Sequence, residues 1–153
     1  MIFAACYLFE GLSEAQFHRL AAIAREIPMQ KGQWHFQEGK EAQELYVLKE
    51  GAVELLTRVD DRFELPITIL RTPGDCCGAS AILAPYVYSL SARCAEDGVL
   101  FAIAHGTLKQ LIREDHDLGC ILMRNLAQHL LNRLRETRQE LKTHFSSLFK
   151  FTH

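Results

Sequence analysis

Between residues 28 and 103 glycine recurs at positions 32, 39, 51, 74, 78 and 98, and the stretches it separates alternate apolar with polar side chains. That punctuation dictates short strands joined by tight turns, because period-two alternation marks a sheet buried on one face and glycine supplies the turn conformations. Strands are expected at 26–30, 34–37, 45–49, 52–58, 65–70, 89–94 and 99–103. Short antiparallel strands at this spacing fold as a sandwich or jelly roll, in which two layers protect each other's edges. Asp60 and Asp61 fall in a hairpin position, where Asp serves turn chemistry rather than catalysis.

Both ends of the chain change to helical spacing. Ser13 followed by Gln16 has the form of a capping box, and Phe17, Leu20, Ala21 and Ala24 then share one face, so a helix of about three turns is expected before Pro28. Leu108, Leu111 and Ile112 mark a second, short helix. From Leu118 a much longer one follows, with Leu122, Leu126, Leu130, Leu134, Leu141, Phe145 and Leu148 on one stripe and Thr137 in the gap between Leu134 and Leu141. At the usual rise it would run roughly 48 Å, well beyond the width of a small sandwich. Its distal half must bury the stripe elsewhere, and an apolar seam with charged flanks is coiled-coil chemistry. A homodimer through the C-terminal helix is therefore expected. The architecture is α+β, with an antiparallel jelly roll over 1–116 and a dimerisation helix over 117–153.

A length of 153 residues with 48% hydrophobic content suits one compact core. The net charge of −2 gives no general attraction for nucleic acid, and the basic residues Arg133, Arg135, Arg138, Lys142 and Lys150 read as a solvated helix flank. The cysteines at 6, 76, 77, 94 and 120 make neither a Cys-x-x-Cys pair nor a disulfide framework, which predicts reduced thiols and a cytoplasmic protein. The apolar opening is too short to span a bilayer, so no membrane partner is expected. No nucleophile elbow, Walker loop, glycine-rich nucleotide fingerprint or zinc motif occurs, so neither an enzyme nor a metal site is expected.

The stretch 73–93 reads PGDCCGASAILAPYVYSLSAR. With the lead-in Leu8-Phe9-Glu10-Gly11-Leu12-Ser13, then Lys31-Gly32, Glu38-Gly39 and Leu45-Tyr46-Val47-Leu48 before Gly51, it resembles the cyclic-nucleotide-binding domains of the catabolite-activator and FNR-type regulators. In that family PGD, two residues, Gly-Glu, a helical turn and Arg-Ser form a phosphate-binding cassette. The resemblance implies a ligand contacted by Gly78, Ala79, Ser80, Ala81, Tyr88 and Ser89. Here Ala79 stands where the family has Glu, which holds the ribose hydroxyl, and Tyr88 where it has Arg, which meets the phosphate. Arg93 matches a structural pairing at the end of a strand. On the long helix, Ile121-Leu122-Met123-Arg124 and Arg133-Leu134-Arg135-Glu136-Thr137 resemble the catabolite activator's dimer helix, so that Thr137, with Arg138 replacing a Ser, would reach an adenine.

The resemblance implies a small-molecule effector and a regulatory role in transcription. DNA would be a partner only through a following helix-turn-helix domain, which lies outside these 153 residues. A buried phosphate needs paired charge, and a neutral tyrosine hydroxyl contributes about 0.5–1.5 kcal/mol against about 1.5–3 for a bond to a charged group. Sugar and phosphate recognition of cyclic AMP or cyclic GMP are thus both weakened. Two alternatives stand beside a retuned pocket: haem, which gas-sensing members of the superfamily bind in the same sandwich, and a stand-alone dimeric module with a vestigial pocket. Histidines 18, 35, 105, 116, 129 and 144 are the haem-ligand candidates, with Met29, Met123 and the cysteines as softer ones.

Overall fold

The computed structural model describes residues 2–150. Two 3-10 turns, Ile2–Ala5 and Tyr7–Phe9, lead into helix α1 (Glu14–Ile23). Its start is the capping box expected from the sequence: Gln16 N–H donates to Ser13 Oγ at 3.2 Å and Ser13 N–H to Gln16 Oε1 at 2.8 Å. The strands are β1 (Ala24–Met29), β2 (Trp34–Phe36), β3 (Glu44–Asp60), β4 (Phe63–Leu70), β5 (Cys76–Cys77) and β6 (Ser91–Ala104). Helices α2 (His105–Glu114) and α3 (His116–Lys150) close the chain.

Every strand pairing is antiparallel, in the order β1-β6-β3-β4, with β2 also on β6 and β5 on β3. This is the jelly roll, with one difference from the strand list above. The expected pairs 45–49 with 52–58 and 89–94 with 99–103 are each a single long strand, β3 and β6, which bend together. The β3/β6 register shifts between Leu48 and Val53, where Gly51 (φ 92°) faces the Asp97 and Gly98 backbone. Bulges of this kind bend a strand and raise its twist without ending the ladder. The Asp60 carboxylate accepts from Arg62 N–H at 2.7 Å in the β3–β4 hairpin, the turn role expected of it. Arg93 likewise pairs with Glu54 at 3.0 Å and lies over Trp34.

Alternation along β3 splits the core in two. Leu45 and Val47 face Leu8, Phe9, Leu20, Leu108, Leu118 and Leu122, the cluster that joins the N-terminal turns and all three helices to the roll. Tyr46 and Leu48 face inward with Met29, Phe36, Val53, Leu100 and Ala102. At about 25 cal/mol per Å2 of apolar area, full burial of one such leucine is worth about 1.5–3 kcal/mol. Helix α3 has 35 residues, about 52 Å at the standard rise. Its first turns are capped by Asp115, which accepts from Leu118 N–H at 3.0 Å. Burial ends at Leu126: Leu130, Leu134, Leu141, Phe145 and Leu148 are all about half exposed, so among the described residues the distal stripe is not covered by the jelly roll. No helix among the described residues is long and apolar enough to cross a membrane.

Candidate ligand-binding site

A cavity of about 410 Å3 opens between the cassette, the outer hairpin β3–β4 and the middle of α3. Its size suits a small molecule, since ligand pockets usually fall between about 300 and 1,000 Å3. Leu55, Ile67 and Leu70 form the hairpin wall, Leu126, His129, Leu130 and Arg133 the helix wall, and Tyr7 and Cys76 the floor. The cassette contributes Gly78, Ala79, Ser80 and Ser89.

Gly78 is fixed by geometry. Its φ of 83° is left-handed, and a Cβ there would stand 2.9 Å from the Glu44 carbonyl oxygen, so only glycine makes this turn without strain. It opens the 3-10 turn Ala79–Ile82, with Ala81 N–H donating back to Gly78 C=O at 3.0 Å. A turn this short carries little dipole, because the macrodipole is a sum over aligned peptides. The cassette therefore presents two hydroxyls, Ser80 and Ser89, and no cation.

The remaining expected site residues lie elsewhere. Ala81 is buried, its carbonyl paired with His105 Nδ1 at 2.6 Å. Tyr88 turns away from the cavity into the inner core, stacked on Phe36 at 3.9 Å and 11°. Its hydroxyl donates to the Glu44 carbonyl at 2.7 Å and accepts from Glu44 N–H at 3.0 Å. The Tyr88 side chain is thereby fastened inside the roll and not presented to the cavity. Thr137 and Arg138 are exposed on α3, past the cavity rim. The cation that does border the cavity is Arg133, one helical turn before Thr137; sequence reasoning had assigned it to a solvated flank. It pairs with Glu136 at 3.0 Å, but both side chains are about half exposed, and such a surface pair is weak enough to yield to an anion. His129 stacks on Tyr7 at 3.9 Å and 15°; burial first, and then the Arg133 charge, hold its pKa below the usual histidine value. Asp75 adds one negative charge on the cassette side, accepting from Thr72 N–H at 3.0 Å.

Residues 26–115 match the family model described as the cyclic nucleotide-binding domain. The chain belongs to that family. Among solved relatives, this cyclic nucleotide-binding domain is similar to the catabolite activator protein of Thermus thermophilus, at 29% identity and a TM-score of 0.75, over 89% of this chain and 62% of that one. It is also similar to the N-terminal domain of a transcriptional regulator from Streptomyces coelicolor A3(2), at 25% identity and a TM-score of 0.72, over 92% and 95% of the two chains. A curated relative is the anaerobic regulatory protein of Bacillus subtilis (strain 168), 27% identical over 120 residues, 78% of this chain; the domain spans half the length of that relative. The catabolite activator protein and the anaerobic regulatory protein are thus both similar to this cyclic nucleotide-binding domain in sequence, and the former also in fold.

As a cyclic nucleotide-binding domain its cassette is intact in backbone and altered in chemistry. Neither a carboxylate at 79 nor a cation at 88 is present for ribose and phosphate, so the residues do not fit a cyclic nucleotide held in the family's way. For haem, His129 is the histidine on the cavity wall, and its ring is engaged face to face with Tyr7. The fastening role of Tyr88 is testable: Tyr88→Phe leaves the Glu44 amide pair without its partner, which costs about 1–3 kcal/mol. Thermal unfolding should drop by several degrees; a variant as stable as the original chain would refute the role.

Proposed function

We propose that this domain senses a small, largely apolar effector that carries a single anionic group, met by Arg133 at the cavity rim. The observation behind this reading is the distribution of charge: apolar walls on both sides, hydroxyls on the cassette, and the cation on the helix. Occupancy then acts on α3, where an anion drawing Arg133 from Glu136 changes contacts within one turn of the exposed stripe. A ligand shifts a two-state equilibrium only through contacts that differ between the states, and the helix-borne cation supplies such a contact.

The stripe beyond Leu126 is read as the seam of a parallel homodimer, with residues 117–153 as the dimerisation segment and 1–116 as the sensor. Binding, not catalysis, is the role of the cavity, in a cytoplasmic regulator that acts on transcription through whatever follows the helix. Thr137, at a seam position, would face the second copy.

Thermal shift separates the readings. A ligand at a hundred times its dissociation constant adds about 2.7 kcal/mol, which is roughly 5–10 °C for a domain of this size. Medium-chain or aromatic carboxylates should raise the midpoint of the unaltered chain and lose that effect in Arg133→Ala. A shift with cyclic AMP, cyclic GMP or haemin that survives Arg133→Ala would overturn the proposal. No shift with any of these probes would favour a dimeric module without an effector.

A further inference from the structure

The floor of the cavity holds sulfur chemistry that ligand sensing does not use. Cys6 lies in the N-terminal segment and Cys76 on β5, yet the two thiols meet in the helix-side cluster, close enough that each shifts the other's acidity. Backbone packing brings them together. Ala5 sits so close to the cassette that a Cβ on Gly74 would stand 2.6 Å from its own. From the other side, Asn125 of α3 donates to the carbonyls of Leu8 and Glu10, both at 2.9 Å, and clamps the segment in place.

Alternation on β5 decides which cysteines can meet. Cys76 pairs in register with Val47 and faces the helix-side cluster, whereas Cys77 pairs with Tyr46 and faces the inner core. The adjacent thiols therefore point apart, and burial pushes the Cys77 thiol up to about 12. Cys94 donates to the Glu96 carbonyl, and Cys120 is exposed on α3.

The surroundings of Cys6 favour a thiolate. The adjacent Cys76 thiol, and after it the Leu8 and Phe9 backbone, lower its pKa against the opposing effect of burial. Tyr7 packs on the same cluster as Cys76 and lines the cavity with it. The thiolate is the reactive form of cysteine, so Cys6 is the nucleophile of the pair, while Cys76, beside Cys6 and buried, has its pKa raised and stays a thiol. Cys76 lines that cavity, so a small oxidant reaches the pair without unfolding the domain.

We propose that Cys6 and Cys76 form a reversible oxidation site, at which hydrogen peroxide entering the cavity converts the two thiols into a disulfide tying the N-terminal segment to the cassette. In the first step the Cys6 sulfur, the thiolate of the pair, takes one oxygen from the peroxide; the O–O bond breaks and the other oxygen leaves as water, giving a sulfenic acid. In the second, the Cys76 sulfur attacks that sulfenic sulfur, the S–S bond forms, and the oxygen leaves as a second water. The two thiol protons end in the two waters, two electrons pass from sulfur to peroxide, and a dithiol reductant reverses the change. Once linked, the segment that carries Tyr7 against His129 is fastened to both walls of the cavity.

Mass spectrometry of the unaltered chain, exposed to hydrogen peroxide and then alkylated in denaturant, tests this without relying on any variant. Two of the five thiols should become unreactive, the mass should fall by two hydrogens, and fragmentation should map the bridge to Cys6 and Cys76. Dithiothreitol should restore all five alkylation sites. Cys6→Ser should remove the bridge, while Cys120→Ser should keep it. Five thiols still free, a bridge to Cys77 or Cys120, or sulfinic acid on Cys6 with Cys76 reduced would each overturn the proposal.

Discussion

Gly98→Ala is expected to cost about 3 kcal/mol or more and to lower the thermal midpoint by roughly 10 °C. The φ of Gly98 is not the reason. A Cβ at this position would lie 2.0 Å from the Glu50 carbonyl oxygen and 2.8 Å from the Gly51 Cα, both backbone atoms. Neither can retreat, because β3 and β6 are paired on both sides of this point, from Glu44↔Ala104 to Leu56↔Ser91. Relief requires the bend shared by the two long strands to open, and that bend holds the inner core together. Denaturant and thermal unfolding at neutral pH would measure the loss. An alanine variant within about 1 kcal/mol of the unaltered domain would mean that the close approach is not needed for the fold.

Replacing Leu134 and Leu141 together by Glu should convert a dimer into a monomer. Each leucine is about half exposed in a single chain, although both lie on a helix whose earlier turns bury Leu118, Leu122 and Leu126 on the core. Burying a leucine side chain is worth about 1.5–3 kcal/mol, and a symmetric seam would use four of these two residues. Since about half of each is already covered, the expected loss is about 3–6 kcal/mol, a rise of about 10^2- to 10^4-fold in the dissociation constant. Carboxylates facing their own copies in a parallel pair would add repulsion. Analytical ultracentrifugation over a concentration series would read the change, with circular dichroism confirming that the jelly roll remains folded. An unaltered chain that stays monomeric at high concentration would sink the expectation, as would a double variant that stays dimeric.

Features specified by neighbours in the chain were legible in the sequence. The Ser13–Gln16 box, the Asp60 turn and the onset of α3 depend on residues within a few positions of each other, and each forms as expected. The Arg93 pairing came from the family pattern rather than from spacing. What escaped depends on distant partners. Gly51 and Gly98 look like strand ends in one dimension, yet in the fold they are the facing points at which two strands bend together. β5 is only two residues long, too short for any period to reveal. Arg133 was hidden in a run of charges because nothing in its spacing tells which flank of a 35-residue helix lies over the cassette. Tyr88 was readable as a departure from the family, but its inward direction depends on Phe36 and on the Glu44 backbone across the roll.

That inward tyrosine also bears on time. A binding loop that must order itself around its ligand closes slowly and registers each arrival as a folding event. In this domain the cassette is already stapled to β3 by Tyr88 before anything enters, so capture should proceed at the rate of access to the cavity, with a small heat-capacity change and no slow second phase. The opposite wall is carried by a helix whose far half is not covered by the jelly roll. On the proposed reading, one of the two walls keeps no record of a ligand's arrival, and the memory of occupancy is left to the helix.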